Sequence, residues 1–354
     1  MKLRKRAYKY RLYPTLDQIP LLSQSFGHVR FVWNQLVSDF TARQKSVSLV
    51  ELKALHPFLQ TVSAAILQQK QRDFQETKAQ FFNKKRKKRI GRPKCRKKGK
   101  RDSFRLPFPK FKRFGDLIQL EKIGKIRFVE DRPIPQNAKW LSVTVSRNAS
   151  NQYFISVLVE ETIAPKSKTH QVVGCDLGLK SFVVTSDFDV FEPQKAYRKN
   201  QAKLKTAQKH LSRKQKGSQR RNKQRVKVAR IHQKTVNQRH DFIHKVTTHL
   251  VNHFDTIVIE DLNVSGMVRN RRLSKAISDA GFRMFRTQLE YKCDWYDKKL
   301  VIADRFYASS KTCSGCGFQK ATFRLAERTF ECEKCRVCLD RDLNAALNLK
   351  KLAV

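Results

Sequence analysis

Val172-Val173-Gly174-Cys175-Asp176-Leu177-Gly178-Leu179 is the stretch on which the fold turns. An apolar run ends in an acid and then a turn, as a buried strand does where it stops at a site. Ser181–Thr185 returns as the second arm of a hairpin around Gly178. A second run, Thr256-Ile257-Val258-Ile259, ends in Glu260. A third acid, Asp342, opens the Ala/Leu-rich helical segment Asp342-Leu343-Asn344-Ala345-Ala346-Leu347-Asn348-Leu349. Two strand ends and a helix start can carry three carboxylates from distant sequence to one point. Clustered carboxylates hold paired divalent ions for phosphodiester cleavage. Magnesium is the ion expected, because it takes oxygen ligands and keeps waters for the nucleophile. Asp187, Asp261 and Asp340 stand nearby in sequence and compete for the same role.

Between the strand runs, residues 195–250 read as a long, very basic helical pair broken near Gly217-Ser218, with Asp241 as its one acid. Leu204 and Leu211 on one arm, and Val228, Ile231, Phe242, Val246 and Leu250 on the other, supply an apolar seam. A helix is expected from about Ser274 to Leu300, then a strand over Val301–Phe306. Strands interrupted by helices, with acids at strand ends, describe a ribonuclease-H-like sheet within an α/β mixed fold.

The first half is organised differently. Residues 7–13 alternate as a strand. Thr15 and Gln18 resemble a capping box, Pro20 disturbs the first turn, and a helix settles over Leu21–Phe40 with Leu22, Phe26, Val29, Val32, Trp33 and Leu36 on one face. Helical pattern resumes from about Leu49 to Phe82. Lys84–Arg101 holds thirteen Lys/Arg in eighteen residues and no acid. Its Gly91, Pro93 and Gly99 argue for a basic linker that orders only against phosphates. From Phe104 to Glu161 the pattern is of strands, with Asn148-Ala149-Ser150-Asn151 as a hairpin turn, which predicts a small β-barrel or sandwich. The N-terminal strand is expected to join it, making the helical block an insertion.

The chain has 354 residues, a 40% hydrophobic share and a formal charge of +46, from 76 Lys+Arg against 30 Asp+Glu. Such a charge calls for a polyanionic partner, nucleic acid by default. A membrane-surface role fits less well, because the charge spans folded segments rather than one amphipathic helix. The basic N-terminus leads into an alternating strand, so no signal peptide is expected, and no apolar run reaches 18 residues. Five of the eight cysteines crowd into residues 313–338. That fits a reducing compartment, such as a cytoplasm, and one metal site rather than a disulfide scaffold.

Cys313-Ser314-Gly315-Cys316 and Cys332-Glu333-Lys334-Cys335 are two CxxC knuckles with fifteen residues between them, a zinc pattern. Four thiolates close a tetrahedral site, so this zinc is structural. Cys338 makes an overlapping second CxxC, so either Cys335 or Cys338 can be the fourth ligand. His240/His244 and His249/His253 pair at helical spacing without a nearby glutamate and read as a basic helix face. Cys175 reads as a small apolar strand residue.

These residues match a family. Leu12-Tyr13-Pro14-Thr15, Val32-Trp33-Asn34, Asp176-Leu177-Gly178-Leu179-Lys180, Glu260-Asp261-Leu262-Asn263-Val264, Ser309-Ser310-Lys311-Thr312-Cys313-Ser314-Gly315-Cys316-Gly317 and Asp340-Arg341-Asp342-Leu343-Asn344-Ala345-Ala346 resemble, in order, the TnpB (OrfB) proteins of insertion sequences, relatives of the type V CRISPR effector nucleases. The resemblance implies a β-barrel wedge domain (1–14 and 103–168) with an inserted helical recognition domain (15–102). It further implies a RuvC-like nuclease domain (169–307 and 339–354) interrupted by a zinc-binding target-nucleic-acid-binding module (308–338). The implied activity is cleavage of double-stranded target DNA beside a short adjacent motif, guided by a noncoding RNA from the transposon end. Asp176, Glu260 and Asp342 fall on the family's catalytic, magnesium-binding positions, and Cys313, Cys316, Cys332 and Cys335 on its zinc positions. Arg336 stands where a glycine often follows the last knuckle, Cys338 is an added thiol, and Ala308 replaces a common proline. Guide pairing would supply sequence specificity while the protein holds backbones by charge and helix shape. The 84–101 run and the 195–240 helices are the expected contacts. An RNA-guided binder without useful cleavage and a guide-independent nuclease are the alternatives.

Overall fold

The computed structural model describes residues 2–42, 47–83, 85, 90–99, 102–322 and 327–353. The chain divides into two compact units, Leu3–Thr162 and the chain from Ile163 onward.

The first unit begins with strand β1 (Lys2–Tyr13) and helices α1 (Gln18–Thr41) and α2 (Leu49–Leu55). A 3-10 turn (Pro57–Thr61) and α3 (Ala64–Phe82) follow. Pro20 falls in the first turn of α1, where an amide has no intrahelical partner, so it is tolerated rather than disruptive. Half of the expected capping box forms: Thr15 N–H donates to Gln18 Oε1 at 3.1 Å. The helical pattern expected over 49–82 is split into separate elements. Ser48 and Glu51 make a full capping box for α2, Pro57 opens the 3-10 turn, and the Ser63 hydroxyl caps α3.

Six further strands follow: β2 (Asp102–Pro107), β3 (Phe111–Phe114), β4 (Leu117–Leu120), β5 (Gly124–Val129), β6 (Lys139–Arg147) and β7 (Tyr153–Ile163). They form one sheet in the order β2-β6-β7-β1-β5-β4-β3, so the N-terminal strand joins it as expected. A short loop joins the two edge strands. Phe111 of β3 meets Trp140 of β6 at 6.1 Å between ring centroids, so the sheet curls nearly closed. α1 and α3 share its core: Phe26 packs on Phe104 and Trp33 on Phe74.

The basic run departs from expectation. Its residues 84, 86–89, 100 and 101 lie outside the described residues. Residues 90–99 are fastened to α1 with no phosphate needed. The Asn34 amide donates to Arg96 O at 3.1 Å and accepts from Arg96 N–H at 2.7 Å, and Trp33 Nε1–H donates to Lys94 O at 3.0 Å. The Arg96 guanidinium lies 3.9 Å from the Trp33 ring centroid. Backbone groups that a basic linker would leave to water are thus satisfied by one side-chain amide and one indole.

The second unit holds β8 (Val172–Leu177), β9 (Val183–Thr185), β10 (Val190–Phe191), α4 (Ala196–Ser212), α5 (Gln219–His253) and β11 (Thr256–Glu260). Then come α6 (Val264–Met267), α7 (Ser274–Ala280), α8 (Phe282–Tyr296) and β12 (Lys299–Ala303). The chain ends with β13 (Thr329–Glu331), β14 (Cys338–Asp340), α9 (Arg341–Lys350) and a 3-10 turn (Lys351–Ala353). The single helix expected over 274–300 is broken at Gly281, whose φ of +79° an L side chain rarely adopts. It ends at Asp297, also left-handed, so the following strand starts two residues early. The break near Gly217-Ser218 is where expected, with the Ser218 hydroxyl capping α5.

The main sheet runs β10-β9-β8-β11-β12, with β8, β11 and β12 parallel and the β8–β9 hairpin antiparallel. Alternation explains its apolar runs. Val173, Cys175, Ile257 and Ile259 face α5 and α8, packing with Ile243, Leu250, Phe285 and Leu289. The other face carries Gly174 and Val258, and Val258 packs with Leu349 of α9. Both faces are covered, as parallel strands require. The architecture is α/β mixed, as expected.

Asn34→Ala should release residues 90–99 from α1. Losing a half-buried amide bonded at both ends costs about 1–3 kcal/mol. A lowered melting temperature and new tryptic cleavage at Lys94 and Arg96 are expected; unchanged proteolysis would refute the clamp.

Candidate active site and metal centre

The parallel register places Cys175 opposite Ile259, so Asp176 and Glu260 occupy the next positions on adjacent strands. Both leave the sheet at its C-terminal edge. Two-residue alternation also puts them on the face of Gly174 and Val258, where α9 lies. The approach of α9 is unusually close. A Cβ added at Gly174 would sit 2.0 Å from the Ala346 carbonyl oxygen and 2.5 Å from the Lys350 amide nitrogen. Asp342 precedes Ala346 by one helical turn, about 5.4 Å of rise. It thereby reaches the end of β8 that carries Asp176.

The electrostatics record this convergence. Burial pushes the Asp176 carboxyl well above the usual carboxylate range, and the charges of Glu260 and Asp342 push it further. Arg341 acts weakly in the opposite sense. Two carboxylates therefore press on a third, half-buried one, and the three form a donor set that fits a divalent cation. Their oxygens are spaced more widely than a closed metal cluster. Among the described residues, only the cysteine quartet gathers three or more donor atoms within 4.8 Å of one another.

Each competing acid is engaged elsewhere. Asp261 takes Arg286 and Arg305, each at 2.5 Å, which together hold its carboxyl below the usual range despite some burial. Asp340 is the N-cap of α9, accepting from the amides of Asp342 and Leu343 at 2.8 and 3.2 Å. Asp187 accepts from the Lys350 ammonium at 2.9 Å and the Ser186 hydroxyl at 3.0 Å. Among the described residues, Glu260 has no cationic partner. One of its oxygens accepts from the buried Ser309 hydroxyl at 2.6 Å.

The Cys313, Cys316, Cys332 and Cys335 sulfurs all lie within 4.8 Å of one another. Cys313 and Cys335, and Cys316 and Cys332, are 3.5 Å apart. The quartet suggests a structural zinc site. Cys338 is outside it, exposed and opposite Glu331 in the β13–β14 ladder, so Cys335 takes the fourth place. The two knuckles repeat one hydrogen-bond pattern: Gly317 N–H donates to Cys313 O, and Arg336 N–H to Cys332 O, each at 3.0 Å. Both donors are left-handed, at φ +77° and +62°. Arg336 thus stands where glycine is favoured, the departure noted in the sequence. Amides of Cys335 and Lys334 aimed at Cys332 draw its thiol down to about 6, a thiolate-favouring environment.

Sequence reasoning missed what joins the two centres. Asn344 and Asn348, both buried on α9, donate to Thr312 O at 2.8 and 2.6 Å. Asn348 also donates to Ser309 O at 2.8 Å, and Ser314 N–H donates to Asn344 Oδ1 at 2.9 Å. The chain entering the first knuckle is thereby tied to α9. The signal was present: two amides four residues apart on the buried face of an Ala/Leu helix. The histidine pairs form no third-donor group among the described residues.

Gly174→Ala should drive α9 from β8, costing about 1–3 kcal/mol or more as overpacking and displacing Asp342. A lowered melting temperature is expected, and an unchanged one would refute the contact. Asp176→Asn should raise the metal-free melting temperature at neutral pH by about 2–4 °C, because it removes a repelled charge. The sign follows from a carboxyl raised on folding: wild-type stability is greatest where Asp176 is protonated and falls as pH climbs above its ordinary value of about 3.9. The gap between variant and wild type should therefore widen with pH. A gap that is constant or reversed would count against it.

Three family models match the chain: "Helix-turn-helix domain" over residues 1–45, "Probable transposase" over 154–271 and "Cas12f1-like, TNB domain" over 282–349. A Streptomyces pristinaespiralis protein named "Putative RNA-guided DNA endonuclease" is 39% identical, over 98% of this chain and 88% of its own length. "Putative RNA-guided DNA endonuclease InsQ" of Escherichia coli (strain K12) is 32% identical, over 98% of this chain and 92% of its own. The protein in a solved Cas12f1-sgRNA-target DNA complex superimposes with a TM-score of 0.60 at 12% identity, over 98% of this chain and 99% of that one, so the fold is shared. No helix among the described residues is long and apolar enough to cross a membrane. Matched along nearly its whole length by relatives above 30% identity, the chain belongs to the TnpB family, the OrfB proteins of IS605-type elements.

Proposed function

We propose that this protein is an RNA-guided DNA endonuclease encoded by a transposon. The observation that carries the reading is the convergence of Asp176, Glu260 and Asp342, where burial raises the Asp176 carboxyl and the two neighbouring charges raise it further. The unit from Ile163 onward acts as a RuvC-like nuclease interrupted by the cysteine module, and Leu3–Thr162 supplies the wedge and helical recognition parts. The three acids would hold magnesium, expected as two ions, which supplies charge neutralisation and an activated water at the phosphodiester. The cysteine quartet would hold structural zinc, whose binding energy becomes folding energy for its module.

The chain's own groups prepare the site. Ser309 fixes the rotamer of Glu260. Asp340 secures the first turn of α9, so that Asp342 is presented from an ordered helix start whose dipole favours nearby negative charge. Arg286 and Arg305 neutralise Asp261, which keeps a fourth carboxylate from adding to the repulsion. Exposed Lys199, Lys203, Lys205, Arg220, Lys223 and Lys227 line α4 and α5 and offer a backbone-holding surface for guide RNA and target DNA. A guide transcribed from the transposon end, and a short motif beside the target, complete the reading.

The test uses protein expressed with its flanking DNA and challenged with a plasmid matching the copurifying RNA and randomised beside the target. Wild type with magnesium should cut. Asp176→Ala should lose about a thousandfold or more in rate, on the scale set by removing one charge-stabilising group, while keeping RNA and target binding. Guided binding without cutting by wild type would replace this reading with that of a binder.

A further inference from the structure

A pocket of about 380 Å³ opens where the β8–β9 turn meets the start of α4, the C-terminal half of α5 and α7. Its floor is apolar, made by Leu179, Phe182, Phe242 and Ala280, and the Tyr197 side chain also lines it. Lys195, Arg198, Arg272 and Lys275, all exposed, stand at its rim. Asp279 is the single acid of the lining and is already neutralised. It accepts from the Tyr197 amide at 2.9 Å and from the Arg239 guanidinium at 3.0 Å. The pocket therefore offers an apolar floor with aromatic rings beneath an uncompensated positive rim.

One polar atom of the lining is unexplained. Gln194 Oε1 is buried and has no hydrogen-bond partner among the described residues. A buried acceptor left unmade is costly, and a ligand that brings an N–H donor would satisfy it. A nucleotide matches each feature. Its base stacks on aromatic side chains, an amino or imino N–H reaches Gln194, and the flanking phosphates meet the rim. The volume lies within the range of small-ligand pockets, about 300–1,000 Å³.

Position chooses the strand. Leu179 follows Asp176 by three residues, so their Cα atoms lie within about 11 Å. The pocket thus lies within reach of the acids, at the same end of β8 but on the α5 side of the sheet. We propose that it receives one unstacked base of the DNA strand being cut, a few nucleotides from the scissile phosphate, and so fixes the register of that strand over the acids. The proposal rests on the nuclease reading above.

Two variants test it. Ala276 lines the pocket and is exposed, so Ala276→Trp fills the opening without entering the core. Gln194→Leu removes the orphan acceptor at similar size. Guide-loaded wild type and variants are given target duplexes in which one abasic nucleotide is moved along each strand. In wild type, one abasic position near the cut should slow cleavage about tenfold, equal to about 1.4 kcal/mol. In A276W the intact target should be cut about tenfold slower, and that abasic position should no longer matter. Q194L should weaken both effects. Loss of guide pairing cannot mimic this, because A276W would not erase it.

Cutting by wild type with no such position, or undiminished cutting by A276W, overturns the pocket while leaving the nuclease reading intact. A dip found only when the abasic nucleotide is in the guide RNA assigns the pocket to the guide and overturns the proposal as stated. Failure of wild type to cut any matched target brings down the nuclease reading and this proposal with it. If A276W does not fold, the wild-type scan with Q194L decides alone.

Discussion

The backbone of α9 lies against β8 at Gly174, closer than any side chain at that position would permit. The geometry of the candidate site depends on this contact. Asp176 and Glu260 are placed by strand register alone, but Asp342 comes from a helix with no hydrogen-bond ladder to the sheet. Only the absence of a Cβ at Gly174 lets that helix descend far enough to bring its first turn to the strand ends. A hydrogen atom at one position thus makes room for the third carboxylate.

The convergence so produced is unfavourable by itself. Desolvation and two neighbouring charges act against ionised Asp176, and the surrounding structure must hold the group in place. The cysteine module contributes to that restraint. It lies in the chain between β12 and α9, its second strand ends in the residue that caps α9, and Asn344 and Asn348 tie α9 to the segment entering the first knuckle. Ser309 in that same segment holds Glu260. Order in the module and order at the acids are therefore one property, coupled through buried amides whose partners are backbone carbonyls.

The basic surface follows different rules. Much of it lies on α4 and α5, where the cations are exposed and an apolar stripe including Leu204, Val246 and Leu250 packs inward. The described part of the 84–101 run is different again. Asn34 and Trp33 hold its backbone, which leaves its charged side chains presented from a fixed track rather than from a loose linker. A presented charge loses less conformational entropy on meeting a phosphate than a tethered one does.

Much of this was legible in the sequence, because the signals are local. The apolar runs ending in Asp176 and Glu260, the CxxC spacing, the Gly217-Ser218 break and the N-terminal strand's membership of the barrel-like sheet each depend on a few neighbouring residues or on hydrophobic alternation. Misplaced features were those set by single backbone conformations. Gly281 broke a helix that its hydrophobic pattern continued through, and Pro20 sat harmlessly where the amide is not needed. Tertiary structure alone decided which acids are engaged by cations or backbone amides: Asp187 takes Lys350, Asp261 takes Arg286 and Arg305, and Asp340 caps α9. It likewise chose Cys335 over Cys338, because knuckle geometry rather than spacing selects the fourth sulfur. Spacing along a chain fixes which groups can share an element. Which charges meet, and which are silenced, is set by contacts between elements that no local pattern records.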